Sequence, residues 1–276
     1  MDEKRQRSLY PVRMRPFPTR LLNTADLEVW PAWLLRARSN HDARALSHSR
    51  HVIRRKRDGR FVAAIGTHGC VGLLPAWARE PGLPQALQAI AAPPGADLLP
   101  KQLPLSALQA RLHGLGLDAD DYGARSGLGL VPEPAWLAHA GFDRYRRPLW
   151  LHPCASRAWT RMRDAAHRDG VVLEAISGYR SHDYQLGIFE RKLSRGLSVE
   201  EILTVNAAPG YSEHHGGQAL DIGTPGEPPA EESFEQTLAF DWLRAEAGGH
   251  GFTMSYPRDN PHGIVYEPWH WCWRNH

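Results

Sequence analysis

The chain has 276 residues, 42% of them hydrophobic and ten of them tryptophan, which is enough to pack one ordinary domain plus an appendage, or two small domains. Twenty-two prolines and 25 glycines argue against a helical bundle and for a loop-rich fold, while three cysteines without a CxxC pair exclude a disulfide framework and a thiolate metal site. The net charge of +3 is small, but it is unevenly spread along the chain.

Residues 1–60 carry fifteen Lys/Arg against six Asp/Glu, and the remainder carries eighteen against twenty-four. The densest point is Arg54-Arg55-Lys56-Arg57. Such a stretch can contact nucleic acid or an anionic surface, but no aromatic interleaving or nucleic-acid fold signature accompanies the charge. The reading is therefore a poorly ordered, solvated arm with a short helix near Leu27–Arg38. Residues 61–100 mix short apolar runs (Phe61–Ile65, Val71–Leu74) with a proline-rich stretch, and are read as a linker or accessory lobe. No apolar run reaches the length of a membrane span, and Arg13, Arg15, Pro16 and Pro18 interrupt any signal-peptide core. The expectation is a cytoplasmic protein, with the periplasm by another route as the alternative. The oligomeric state is left open.

From about residue 101 the pattern becomes that of a packed domain. Leu105, Leu108, Leu112 and Leu115 fall at helical spacing. Ala155–Asp169 reads as a helix with Trp159, Met162 and Ala166 on one face, and Val171–Ile176 as a buried strand. After a turn at Ser177–Arg180 comes a helix over Asp183–Arg195, then a short one opened by a capping box of Ser198 and Glu201. Ala219–Ile222 is predicted as a strand, Glu232–Ala247 as a helix, and Phe252–Tyr256 and Ile264–Trp273 as the last strands. Helices first, late strands and no βαβ alternation predict an α+β fold on a small antiparallel sheet flanked by helices. The expected division is an N-terminal extension or accessory lobe at 1–100 and a catalytic domain at 101–276.

Three stretches carry chemistry: Ser177-Gly178-Tyr179-Arg180-Ser181, Ser212–Asp221, and Glu267-Pro268-Trp269-His270-Trp271. A catalytic zinc takes three N or O ligands and keeps a fourth position open. His214 and Asp221 flank the small residues Gly216, Gly217 and Ala219, which allow a tight turn that returns the carboxylate to the imidazole; His270 is the third ligand. Zinc suits this set better than magnesium or calcium, which prefer oxygen shells. Glu267 is left over as the base that takes a proton from water and returns it to a leaving amine. Arg180, at a strand-to-helix turn, can meet a carboxylate or an oxyanion. Ser181, Gln185 and Ser212 are placed to orient a peptide end, and Tyr211 to form a wall of the pocket. Singly, each has a plainer explanation: a surface histidine, a turn-capping Asp221, an exposed Glu267, an ion-paired Arg180. His182 is read as facing solvent and His215 as a neighbour of the ligands. The combination and order carry the signal.

Ser177-Gly178-Tyr179-Arg180-Ser181 with Tyr184-Gln185, Ser212-x-His214-x-x-Gly217-x-Ala219-x-Asp221, and Glu267-x-Trp269-His270-Trp271 together resemble the VanY-type D-alanyl-D-alanine carboxypeptidases, zinc peptidases of one superfamily with VanX dipeptidases and phage endolysins. The match spans about 177–273. It implies a VanY/Hedgehog-like zinc peptidase fold, zinc on His214, Asp221 and His270, Glu267 as general base, and Arg180 assisting substrate and transition state. It further implies a peptidoglycan stem peptide or muropeptide as substrate, its C-terminal carboxylate held by Gln185, Ser181 and Ser212 and its terminal D-alanine removed by metal-activated water. The rivals are an endolysin-like endopeptidase of the same superfamily and a non-catalytic zinc module that binds wall peptide; the spare acid at Glu267 argues against the second.

Overall fold

The computed structural model describes residues 19–37, 39–67, 69–91, 99–105 and 108–274. Its first part is strand-rich: β1 (Arg20–Asn23), β2 (Leu27–Pro31), helix α1 (Asn40–Ser47), β3 (Ser49–Arg55), β4 (Phe61–Gly66), β5 (Gly69–Gly72) and helix α2 (Leu83–Ala91). Next come helices α3 (Leu108–Gly114) and α4 (Ala119–Ser126), strands β6 (Trp136–Phe142) and β7 (Pro148–Leu151), and the long helix α5 (Pro153–Arg168). The last part holds β8 (Glu174–Ser177), α6 (His182–Leu193), α7 (Val199–Leu203), β9 (Ala219–Gly223), α8 (Leu238–Glu246), β10 (Phe252–Met254) and β11 (His270–Trp273).

Two antiparallel sheets organise these elements: a seven-stranded one in the order β5-β4-β3-β2-β1-β6-β7, and a four-stranded one in the order β10-β11-β9-β8. The mixed helix and antiparallel-sheet class is as expected from the sequence. The N-terminal part differs. Leu27–Pro31 is a strand, followed by a single 3-10 turn at Ala32–Leu34. Leu27 and Val29 are fully buried against α2, because they share a core with Ile53, Val62, Leu83 and Ala86. Residues 1–18 lie outside the described residues, so the expectation of a loose basic arm is tested only from residue 19 onward.

The basic stretch is neither a solvated arm nor a free patch. Arg54 donates to Glu28 at 2.9 Å, Arg55 to Asp58 and to Glu80, and Lys56 to Glu133 at 2.5 Å. Arg57 Nη2 lies 3.5 Å from Glu80. Each cation neutralises a nearby carboxylate, so little of this charge is presented to solvent as a field.

The four-stranded sheet and α5 and α8 enclose the largest core. Trp159 and Met162 of α5 pack with Leu220, Ile222 and Trp271 of the sheet and with Phe240 and Leu243 of α8. Helix α5 begins at a proline, where the missing N–H costs nothing, and His152 accepts from the Cys154 N–H at its start. The Ser198 capping box is formed as expected. The Val171–Ile176 strand is shorter than predicted, since Val172 is exposed before β8 begins. The single helix expected at Glu232–Ala247 is broken at Thr237, whose hydroxyl accepts from the Phe240 N–H and starts α8 afresh. No helix among the described residues is long and apolar enough to cross a membrane.

Candidate metal centre

The site is a consequence of sheet register. Asp221 in β9 pairs directly with His270 in β11 on one side and with Ser177 in β8 on the other. An irregularity between Ala175 and Ser177 brings Ser177 into that register. Because successive residues of a strand point to opposite faces, Leu220, Ile222 and Trp271 enter the core while Asp221 and His270 project from the other face.

His214 reaches the same place from a 3-10 turn, Glu213–Gly216, that precedes β9. The turn closes on Gly217, at φ +67°, where a Cβ would sit 2.5 Å from Leu137 and 2.8 Å from the His152 amide nitrogen. The Gly217 carbonyl accepts from that amide, pinning the turn to the end of β7. Gly178 is equally constrained by space: a Cβ there would meet Leu149 at 2.8 Å and the Trp150 carbonyl at 3.0 Å. One ligand atom from each of His214, Asp221 and His270 lies within 4.8 Å of the others, and all three residues are buried.

The protonation of these groups follows from their partners. His214 Nδ1 is 2.7 Å from the Gly178 carbonyl, which can only accept, so Nδ1 carries the proton and Nε2 the lone pair. Nε2 is buried without a hydrogen-bond partner, 3.3 Å from Asp221 Oδ1. On His270, Nε2 lies 2.9 Å from Glu213 Oε2 and donates to it, which leaves Nδ1 facing Asp221 Oδ1 at 3.2 Å. Two imidazole nitrogens and a carboxylate oxygen thus converge with their acceptor sides inward, an arrangement that calls for a cation. The electrostatics agree. Burial and nearby Arg180 lower the His214 pKa to about 4, keeping it neutral as a ligand must be. Burial would also lower His270, but Asp221 and Glu213 push it up to about 10, so the Nδ1 position strongly favours a cation, which can be a proton or a metal ion. Burial opposes ionisation of Asp221, yet His214, His270 and Arg180 hold it well below the usual carboxylate range.

Around this set, Asp221 Oδ2 accepts from Ser177 Oγ at 2.6 Å and from Arg180 Nη2 at 3.3 Å. Glu267 Oε2 stands 3.8 Å from His270 Nδ1 but outside the converging trio. Burial pushes Glu267 up to about 7, helped by Asp221 and Glu213 and opposed by His270 and Arg180. A carboxyl at that value can both take and give a proton near neutrality. The Tyr256 ring packs 4.8 Å from that of His270.

The other predicted residues have structural partners. Ser181 accepts from the Tyr184 N–H and caps α6. Gln185, fully enclosed, donates to the Ala207 carbonyl and leaves Oε1 without a partner. Ser212 is buried at the start of the His214 turn, and the Tyr211 hydroxyl donates to the Ala119 carbonyl. His215 sits between the Gly210 N–H and the Arg180 carbonyl, with Nδ1 donating to the latter. His182, read from sequence as solvent-facing, is buried instead, edge-on to His215 and bonded to the Val131 carbonyl. A cleft of about 190 Å³ opens beside Arg180, lined by Trp30, Arg54, Trp150, Tyr179 and Tyr184 among others.

Sequence reasoning missed Glu213. It accepts from His270 Nε2, from Ser255 Oγ at 2.6 Å and from Arg274, and these partners hold it well below the usual carboxylate range although burial opposes that. Its position immediately before a ligand histidine was the available signal.

Comparison with known proteins fits this geometry. The family model for VanY, D-alanyl-D-alanine carboxypeptidase, matches residues 148–276. The chain is 38% identical over 133 residues to YodJ of Bacillus subtilis (strain 168), covering 47% of this chain and 48% of YodJ. It is 30% identical over 144 residues to the bifunctional D-Ala-D-Ala dipeptidase and D-Ala-D-Ala carboxypeptidase VanXYC of Enterococcus gallinarum, covering 50% of this chain and 73% of that one. The chain belongs to the VanY family. Among solved structures, the LdcB LD-carboxypeptidase aligns with a TM-score of 0.45 at 31% identity, over 48% of this chain and 64% of that chain. This VanY-family chain spans about half the length of YodJ, and the matched span begins after the first six strands of the large sheet.

Proposed function

We propose that the protein is a zinc-dependent carboxypeptidase that removes the C-terminal D-alanine from peptidoglycan stem peptides. The observation that carries this reading is the inward-facing acceptor set of His214 Nε2, Asp221 Oδ1 and His270 Nδ1 beside a carboxyl, Glu267, that is not needed as a ligand. Membership of the VanY family, and the D-Ala-D-Ala activities named for VanXYC, support the substrate class.

His214, Asp221 and His270 would hold the zinc, which when bound supplies Lewis acidity toward the scissile carbonyl and the attacking water. Glu267 takes the proton from that water on a carboxylate oxygen and delivers it to the nitrogen of the departing D-alanine. Its burial matters in two ways: it lifts the carboxyl to about 7 and keeps bulk water from competing for the proton. Arg180 binds the peptide's terminal carboxylate or the developing oxyanion, with Asp221 holding one edge of its guanidinium. In this reading the hydroxyl protons of Ser181 and Ser212 help orient the peptide, with the ring of Tyr211 as a wall, while the enclosed Gln185 acts from behind by holding the Ala207 carbonyl. Residues 101–276 form the catalytic domain and residues 1–100 an accessory lobe that supplies Trp30 and Arg54 to the cleft beside Arg180.

The test is mass spectrometry of pentapeptide and tetrapeptide muropeptides incubated with zinc-loaded protein, beside a Glu267→Ala control. Loss of one alanine from either peptide, absent in the control, is the expected result, and the preferred peptide defines the cleaved bond. A cut nearer the sugar would make the protein an endopeptidase. Zinc binding without any cleavage would leave a binding module and end the enzymatic reading.

A further inference from the structure

Arg180 sits on the turn between β8 and α6, and that turn is gripped from outside the family-matched span. Glu133 is almost wholly buried, and both its oxygens are in use. Oε1 accepts from the His182 N–H at 2.8 Å, and Oε2 accepts from the Tyr179 hydroxyl at 2.5 Å, so the carboxylate bonds to the residues on either side of Arg180-Ser181. Oε2 also receives Lys56 Nζ at 2.5 Å and Asn23 Nδ2 at 3.1 Å. Asn23 bonds in turn to the Tyr179 hydroxyl at 2.9 Å, and Lys56 to the Thr24 carbonyl.

Asn23 ends β1 and Lys56 directly follows β3, so both belong to the large sheet's N-terminal part. The family-matched residues begin at 148. Other anchors of the turn include the Arg180 N–H to the His214 carbonyl at 3.2 Å, the Tyr179 N–H to the Trp150 carbonyl, His215 Nδ1 to the Arg180 carbonyl, His214 Nδ1 to the Gly178 carbonyl and His182 Nε2 to the Val131 carbonyl. Glu133 adds bonds to Tyr179 and His182, on either side of Arg180-Ser181, and through it Lys56 reaches the turn. A buried carboxylate stays ionised only beside a buried cation, and Lys56, with 1% of its side chain exposed, is that cation.

We propose that Lys56, Asn23 and Glu133 act as a clamp through which the N-terminal lobe positions the Arg180 turn, making these three positioning residues and the lobe a working part of the site. The clamp stands on the contacts above; its effect on turnover rests on the proposed role of Arg180.

The experiment is hydrogen–deuterium exchange on the full chain, comparing wild type, Lys56→Met and the charge-neutral pair Lys56→Met/Glu133→Gln. In Lys56→Met, peptides spanning 177–185 are expected to speed up about tenfold more than those spanning 219–223 and 270–273, which register the general loss of stability. The paired variant should recover most of the protection, since glutamine still offers an oxygen to the His182 N–H. An acceleration at 177–185 no greater than that at 219–223 and 270–273 overturns the clamp and leaves Lys56 as a general stability element. Kinetics on the cleaved peptide then test the second step. Lys56→Met should lower kcat/KM by about tenfold at unchanged zinc content, with the pair within threefold of wild type. Wild-type kcat/KM in a variant whose turn has loosened overturns the positioning role. A wild-type protein inactive on every muropeptide would instead sink the functional reading and leave the exchange result standing.

Discussion

The two sheets of this protein use the same antiparallel geometry for opposite ends. In the four-stranded sheet, pairing in register collects the polar side chains of Ser177, Asp221 and His270 in one row. In and beside the seven-stranded sheet, buried carboxylates are instead matched by donors: Glu28 by Arg54 and by the Trp30 indole N–H, Glu133 by Lys56. One sheet gathers a carboxylate and imidazoles around a single point, and the other pairs its buried carboxylates with cations. Chemistry belongs where acceptors are left facing one another, and the satisfied network belongs where a backbone has to be held still.

The largest effect expected from breaking this contrast is at Glu267. Glu267→Gln keeps the shape and leaves the metal ligands untouched but removes the proton carrier, so kcat should fall by about a hundredfold or more with zinc still bound, as read by steady-state kinetics and metal analysis. Turnover within a few fold of wild type would reassign the base.

The next effect is at Glu213. It fixes the ring of His270 by accepting its Nε2 proton, so Glu213→Gln should weaken zinc binding or activity by about 10- to 100-fold in a competition titration with a chelator. An unchanged zinc affinity would show that Tyr256 and the strand pairing orient His270 unaided.

These two residues mark what sequence can and cannot reveal. The trio and Glu267 were legible because strand alternation and short spacing place them: Asp221 is two residues past Ala219 on a strand, and His270 three past Glu267. Glu213 was passed over because its partner lies 57 positions away, and its place beside His214 is a weak signal that does not point to His270. The N-terminal lobe was misjudged for the same reason. Leu27–Arg38 mixes leucines with tryptophans and a proline, and only its pairing with β1 and β3 decides that its first residues form a strand. Arg54–Arg57 looked like a free basic arm because the partner carboxylates Glu28, Glu80 and Glu133 are distant in the chain.

Acid should sharpen the comparison from the other sheet. Burial alone would raise Glu133 above its ordinary value of 4.5, but Lys56 and His182, with the hydrogen bonds from Lys56 and Tyr179, hold it at about 2. Its folded value is therefore below its unfolded one, so the stability it contributes is present above about pH 4.5 and is lost as pH falls toward 2. The loss is on the order of 3 kcal/mol, read as a falling Tm across that window. Glu133→Gln should flatten this part of the profile, and a profile unchanged by the substitution would mean that Glu133 carries no charge in the folded protein.

The smallest effect is expected at Arg57. Its guanidinium is 62% exposed and 3.5 Å from Glu80, which already accepts from Arg55 at 2.8 Å. An exposed ion pair of this kind is screened by solvent and salt, and its loss leaves no buried charge behind. Arg57→Ala should shift stability by about 0.5 kcal/mol or less, and Lys56→Met, one residue away, by about 3 to 5 kcal/mol because it strands the Glu133 carboxylate. Thermal unfolding of the two variants side by side measures that difference directly. Comparable losses would mean that the basic stretch acts as one diffuse surface, and the distinction between its paired interior member and its exposed one would fall with it.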